Sequence, residues 1–274
     1  MIDTHHHFWE YNENEYSWIS EEMSILRNDY FPEDIGKEIM KSNVDSVVSV
    51  QARTSLLETE QLLQYAKEYA FISGVVGWFP LCERNIRDIV FKYSTDTWRK
   101  GARHVLQAEP SGYMAQESFN DGIKVLTEMG LPYDLLVTQE QIVEVIALVD
   151  RHPNQKFIVD HIAKPQIKSS LFPEKWKSDL ESLSKRDNVY CKVSGMVTEI
   201  QDEHWDSDLL NPYWEAVLDS FGSERIMIGS DWPVCKLQME YFDWLNLCRN
   251  WLTCLSKSER ENIENKNAKI VYNL

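Results

Sequence analysis

The stretch Ile2-Asp3-Thr4-His5-His6-His7-Phe8-Trp9 begins as an apolar, strand-like segment and runs straight into histidines. On a β-strand alternate side chains face the same way, so His5 and His7 share one side and His6 takes the other. Two imidazoles at one strand end can meet at a point, as a metal centre or a hydrolytic site requires. Adjacent histidines near an initiator Met are also what a purification scar looks like, but tags usually run longer and lack a strand pattern around them. A histidine pair that merely packs is the other plain reading. The residues after this strand bear on the fold. A doubly wound sheet usually places a glycine-rich phosphate loop there. This chain instead places histidines, then a long connection from Phe8 to Phe31 with Trp9, Tyr11, Tyr16 and Trp18. Long loops in compact domains tend to serve function.

Outward from that segment, short β-branched runs recur. They are Met1–His6, Ser46–Gln51, Ile72–Phe79, Ala102–Leu106, Tyr133–Val137, Phe157–His161, Val189–Val193 and Arg225–Gly229. Segments of helical spacing lie between them. Pro32 opens one in the first turn, where proline is favoured. Leu62, Leu63 and Ala66 share a face in Leu56–Tyr69, as do Ile142, Val145, Ile146 and Val149 in Gln139–Arg151. Gln116–Met129 runs into Gly130, a good helix stop. Ser256 with Glu259 forms a capping box for a last helix. Strands alternating with helices imply parallel pairing. The 274-residue length suits a (β/α)8 TIM barrel. No linker, repeat or low-complexity stretch divides the chain, so residues 1–274 read as a single domain.

Charge narrows the partners. A net charge of -16 argues against binding nucleic acid through its phosphates and against docking on anionic membranes. Cys82, Cys191, Cys235, Cys248 and Cys254 are odd in number and irregularly spaced, with no CxxC pair. That is neither a disulfide framework nor a zinc ribbon, and free thiols suit a reducing cytosol. With no signal-like N-terminal segment and no apolar run long enough to span a bilayer, the expected location is cytoplasmic.

In such barrels the site lies at the C-terminal ends of the strands. Those ends carry His5 and His7, Gln51 and Arg53, Trp78, then Arg103, His104 and Gln107. Further along come Tyr133 and Asp134, then Asp160, His161 and Lys164, then Lys192 and Ser194, and finally Ser230, Asp231 and Trp232. Each has a plain alternative. Arg53 and Arg103 could be surface ion pairs. Lys192 could seal the barrel with an acidic partner, and Asp134 could be a buried structural acceptor. Arg103 and His104 alternate, so one faces away from the axis. Asp160 has the opposite parity to His161 and is expected to bond a neighbouring loop. Trp78 and Trp232 could simply pack. The sharper set is His5, His7, His161 and Asp231, three imidazoles and a carboxylate, a ligand set suited to zinc or manganese. A metal there would acidify a bound water, and Asp231 would take the proton as general base. A metal-free site is equally sound chemically, with Asp231 activating water and the imidazoles holding the carbonyl oxygen.

The motifs together resemble the amidohydrolase superfamily, in its branch of sugar-lactone hydrolases. They are Ile2–Trp9, Arg103-His104-Val105-Leu106-Gln107, Tyr133-Asp134-Leu135-Leu136, Asp160–Pro165, Lys192-Val193-Ser194-Gly195 and Gly229-Ser230-Asp231-Trp232-Pro233, with Asn267-Ala268 and Tyr272 in the tail. The resemblance covers essentially the whole chain and is strongest to the fuconolactonase and rhamnonolactonase type. It implies the barrel, hydrolysis of a ring ester in sugar-acid catabolism, and a small-molecule sugar lactone as partner, with a homo-oligomer compatible. It implies Asp231 and His161 as catalytic residues. His5, His7, His161 and Asp231 would hold one divalent metal, zinc foremost, with metal-free catalysis left open. Arg53, Trp78, Arg103, His104, Gln107, Lys192 and Trp232 would contact substrate. No bridging lysine or glutamate is evident for a second metal, and Tyr133-Asp134 stand where metal-rich relatives have histidine. A metal-dependent decarboxylase of an aromatic or muconate-type acid and a non-catalytic sugar-acid-binding barrel are the competing readings.

Overall fold

A computed structural model describes residues 1–274. Eight parallel strands stand in sequence order: β1 (Ile2–His6), β2 (Ser46–Val50), β3 (Ile72–Gly77), β4 (Arg99–His104), β5 (Tyr133–Leu135), β6 (Phe157–Val159), β7 (Val189–Val193) and β8 (Ile226–Ile228). The circle closes where the chain beyond β8 meets β1. Asp231 N donates to His5 O at 2.7 Å and His7 N to Trp232 O at 2.7 Å. The buried Thr4 Oγ1 donates to Ile228 O at 2.8 Å across the same seam. The eight strands expected from the sequence are all present, as a (β/α)8 barrel.

The helices wrap the outside: α1 (Pro32–Lys41), α2 (Leu56–Glu68), α3 (Ile86–Lys92), α4 (Glu117–Glu128), α5 (Ile142–Arg151), α6 (Glu174–Ser184), α7 (Asn211–Phe221) and α8 (Tyr241–Leu252). Two short ones follow, α9 (Lys257–Glu261) and α10 (Asn267–Tyr272), joined by a π-helical turn over Asn262–Lys266. Local chemistry sets several ends. Ser55 accepts from Leu57 N at the start of α2. The Ser256–Glu259 capping box forms at α9. Beyond α4, Gly130 N and Leu131 N bond back to Thr127 O and Leu126 O, a Schellman ending.

Two apolar layers result. The larger fills the space between strands and helices. The smaller lies inside the barrel, where Ile2, Val48, Val50, Val76, Ile158 and Met227 meet Ala268, Val271 and Tyr272 of α10. The last helix therefore plugs the N-terminal end of the barrel, leaving the opposite end for chemistry. No helix is long and apolar enough to cross a membrane.

β4 departs furthest from its sequence reading; the other strands match theirs or fall short by one or two residues at an end. The run Ala102–Leu106 suggests a strand there, whereas β4 spans Arg99–His104 and Leu106 starts a 3₁₀ turn over Leu106–Ala108. The polar start hid the strand. Arg99 and Lys100 sit at the plugged rim, where Lys100 Nζ reaches Asn273 O at 2.6 Å. Leu106 is apolar because it is buried beneath the β4 loop, not because it continues the sheet.

Gly122 on α4 shows how tightly helix and loop are fitted. A Cβ there would stand 2.4 Å from Leu81 O and 2.8 Å from Leu81 Cβ. Alanine in a helix interior normally stabilises relative to glycine by up to about 1 kcal/mol. Here the sign should reverse. Gly122→Ala is expected to lower the denaturation midpoint, at a cost of ~1–3 kcal/mol from overpacking. An unchanged or raised midpoint in urea would show that α4 has room to move away.

Candidate active site

The seam between β8 and β1 builds the centre of the site. Asp3, fully buried, accepts from Ser230 N at 2.8 Å, Ser230 Oγ at 2.6 Å and His5 N at 3.1 Å. Burial raises its carboxyl to about 6 against those hydrogen bonds. Gly229 is needed for the approach, since a Cβ would lie 2.5 Å from His5 Cβ. Asp231 follows with φ +59°, a left-handed value that a non-glycine residue adopts at a cost. That turn aims its carboxylate across the mouth of β1.

His161 arrives by a second left-handed device. β6 stops at Val159, and His161, Ile162, Ala163 and Lys164 take φ of 53°, 50°, 60° and 48°. None is glycine. Trp176 Nε1, at 2.8 Å from Ile162 O, ties the turn to α6. Because the strand has ended, alternation no longer governs Asp160 and His161, and both turn inward. The expectation that Asp160 bonds a neighbouring loop is corrected here. Asp160 Oδ2 accepts from Arg103 Nη1 at 3.1 Å, and Asp160 Oδ1 lies 3.1 Å from Lys192 Nζ and 3.3 Å from His5 Nδ1.

Four polar atoms converge on one place. Asp231 Oδ1 lies 3.3 Å from His7 Nε2, 3.8 Å from His5 Nε2 and 3.9 Å from His161 Nε2. His7 Nδ1 donates to Val50 O at 2.8 Å, which turns its Nε2 toward Asp231. His161 Nδ1 is 2.9 Å from Ser194 Oγ, so that ring too turns Nε2 inward. Burial, against the pull of nearby Asp160, keeps His5 well below the usual imidazole range. Burial, against Asp231 and Asp160, lowers His161 to about 4. Both are neutral at pH 7. Burial would raise Asp231, yet His161, the His7 hydrogen bond and His5 together hold it well below the usual carboxylate range. Nearby, Asp134 and Asp160 are matched by Lys192 and Arg103. Asp231 is left as a buried carboxylate facing three imidazole Nε2 atoms, with no lysine or arginine of its own. That donor set fits a divalent metal, and His5, His161 and Asp231 offer ligand atoms all within 4.8 Å of one another.

Above these atoms opens a cavity of about 350 Å³. His7, Arg103, Gln107, His161, Lys164, Thr198, Glu199 and Asp231 give it a polar side, and Trp18, Met23, Val105, Leu136, Val234 and Leu237 an apolar one. Trp18 and Met23 come from the long connection after β1. Lys164 Nζ meets Glu199 Oε1 at 2.9 Å on the wall. Lys164, marked at a strand end, and Trp18, in the long connection, take their expected places on the mouth, whereas Thr198, Glu199 and Met23 carried no distinguishing sequence signal, because loops distant in the chain bring them together.

The other expected contacts divide. Arg103 and Gln107 line the cavity. Trp78, His104, Arg53, Lys192 and Trp232 are not among its lining residues. Trp78 Nε1 donates to His104 Nδ1 at 2.9 Å, and His104 Nε2 bonds Glu109 Oε1 at 2.7 Å, a chain that tethers the β4 loop. Arg103, not His104, therefore faces the axis. Lys192 is wholly buried against Asp134 and Asp160. Trp232 packs on Phe8 and Tyr30. Arg53 lines a separate cavity with Trp9, Tyr16 and Tyr65, where it pairs with Glu15. His6 turns outward to Ser49 Oγ at 3.0 Å.

A sequence profile of the family described as amidohydrolase matches residues 2–274. The chain is 34% identical over 273 residues to a protein named L-fucono-1,5-lactonase from Burkholderia multivorans, covering 94% of this chain and 91% of that one. It is 31% identical over 251 residues to another of that name from Burkholderia ambifaria, covering 90% and 86%. The crystal structure of a Burkholderia multivorans amidohydrolase with bound zinc superposes with a TM-score of 0.96 at 33% identity, over 100% of this chain and 99% of that one.

Beside Arg53, the buried Glu58 accepts from Ala52 N at 3.0 Å and Arg53 N at 3.1 Å. Burial outweighs those bonds and raises its carboxyl from 4.5 to about 7. The folded protein thus keeps a proton that the unfolded chain has released. The stability that this proton represents is present below about 4.5 and lost as the pH rises through about 7. Urea unfolding from pH 5 to 8 should show wild type losing more stability than Glu58→Gln, by up to ~3 kcal/mol. The comparison cancels the similar slope from Asp3. Parallel curves for the two proteins would refute the assignment.

Proposed function

This chain belongs to the amidohydrolase family, and on that premise we propose that it is a lactonase, opening a sugar lactone to the free sugar acid. One observation carries the reading: Asp231 stands among the imidazoles of His5, His7 and His161 on the floor of a half-polar cavity at the C-terminal end of the barrel. The names of the two relatives in Burkholderia support the substrate class.

Asp231 accepts a proton from water as its oxygen attacks the lactone carbonyl. Arg103, fixed on the cavity floor by Gln51 and Asp160, meets the oxyanion. When the ring C–O bond breaks, Asp231 returns the proton to the leaving alkoxide, and the new carboxylic acid ionises into solvent. Gln107, Lys164 and Glu199 are placed to bond ring hydroxyls, and Trp18 offers a flat face to the ring. His5, His7, His161 and Asp231 would hold one divalent cation, zinc foremost. Bound there, such a cation polarises a carbonyl and acidifies water.

The test is a panel of sugar lactones in weak buffer with a pH indicator. Acid release is expected, and Asp231→Asn should slow it roughly 10²–10⁴-fold. Release of carbon dioxide from an aromatic acid, with no lactone opened, would overturn the reading. Metal analysis of the same sample should find a divalent ion, and its removal by a chelator should slow turnover. Full rate in a metal-free sample would sink the cation while leaving the lactonase standing.

A further inference from the structure

We propose that Glu199 is a specificity-determining residue: by engaging Lys164 on the cavity wall, it selects lactones whose substituents are neutral hydroxyls over lactones that carry a free carboxylate. This rests on the lactonase reading and narrows its substrate class.

Arg103 and Lys164 are the only arginine and lysine side chains that line the cavity. Neither is free. Arg103 lies on the floor, with Nη1 3.1 Å from Asp160 Oδ2 and Nη2 3.3 Å from Gln51 Oε1. Lys164 Nζ meets Glu199 Oε1 at 2.9 Å. Asp231 adds a carboxylate that no lysine or arginine pairs. A carboxylate on the substrate would therefore meet Glu199 and Asp231, and no unpaired guanidinium or ammonium. Placing like charges together in a site that excludes water is costly.

The backbone builds the Lys164–Glu199 pair. Lys164 closes the left-handed turn after β6, where its N donates to His161 O at 2.8 Å. Glu199 ends a 3₁₀ turn, Met196–Glu199, after β7. The two loops then join. Ile167 N donates to Glu199 O at 3.2 Å, and Gln201 N donates to Ile167 O at 3.0 Å. Ile167 and Ile200 form a parallel bridge between them. The two charged side chains face each other on the wall with exposures of only 23% and 21%. Together they offer donors and an acceptor to a hydroxyl, but no net charge to a carboxylate. Without Glu199 the same wall would present a bare ammonium, which is a carboxylate site. Discrimination of this kind comes from placing a repulsive group against the wrong ligand.

The experiment compares two lactones that differ at one group. One is an aldonolactone with a terminal hydroxymethyl, the other the monolactone of the matching aldaric acid, with a carboxylate there. In wild type, kcat/KM for the carboxylated lactone should be lower by about 10²-fold. Equal values overturn the inference without any variant. In Glu199→Gln the ratio should shift toward the carboxylated lactone by ~10-fold or more, mainly through its KM. Adding Lys164→Gln should remove most of that shift, because no ammonium remains to receive the carboxylate. A ratio unmoved by Glu199→Gln, or a shift that survives in full in the folded double variant, also overturns it. Calorimetric binding of the open-chain aldonate and aldarate needs no turnover. Both share the carboxylate at the reacting end, so the difference between them reads the second one alone. Glu199→Gln should narrow that difference about 10-fold. If wild type opens no lactone, the lactonase reading fails, while calorimetry still decides whether Glu199 sets the charge. The same difference in both proteins, or no binding of either acid, then overturns the inference.

Discussion

Everything at the working end of this barrel hangs on the seam where the last strand returns to the first. Two backbone hydrogen bonds, Asp231 N to His5 O and His7 N to Trp232 O, both 2.7 Å, close the circle. Asp3 pins the same seam from within through Ser230. These contacts complete the sheet, and they also bring the β1 histidines against Asp231. Fold closure and site assembly are one event. A shift of one residue in this pairing would turn His5 and His7 away from the axis and His6 toward it.

Beneath the seam, the barrel interior is not apolar throughout. Asp134, Asp160, Lys192 and Arg103 form a buried column of alternating charge between the apolar plug and the histidines. Buried ion pairs are poor sources of net stability, because desolvation offsets their attraction. Their effect here is on geometry. Each cation has defined acceptors and each carboxylate defined donors, so rotations that would suit one pair break another. The left-handed turns at Asp231 and at 161–164 bear strain that a packed surrounding must hold.

Much of this was legible in the chain. The period of two across His5-His6-His7 separated the inward pair from the outward one, and the regular recurrence of strand-like runs gave the barrel. Arg103 and His104 show where alternation stops being enough. It says that they face apart, but not which way, and only the pairing of Arg103 with Asp160 decides. Asp160 and His161 mark a second limit. Alternation does not hold beyond the strand's last residue, Val159, and nothing in Asp-His-Ile-Ala-Lys, without glycine or asparagine, announces a left-handed turn. Arg53 and Trp78 sit at strand ends yet bond outward, to Glu15 and to His104. Strand-end position alone does not distinguish the rim of a barrel from its mouth.

The placement of α10 carries a further consequence, for the order of assembly. Ala268, Val271 and Tyr272 complete the inner core that Ile2 begins. On a ribosome emerging strands can pair with their predecessors, but the inner core stays open to water until the final turn of helix has left the exit tunnel. Closing it joins segments from opposite ends of the chain, and the entropy of so long a loop is recovered only in that last step. The barrel's interior is thus dried only when α10 docks, and the residue that finishes it, Tyr272, is also the one that touches the charged column above.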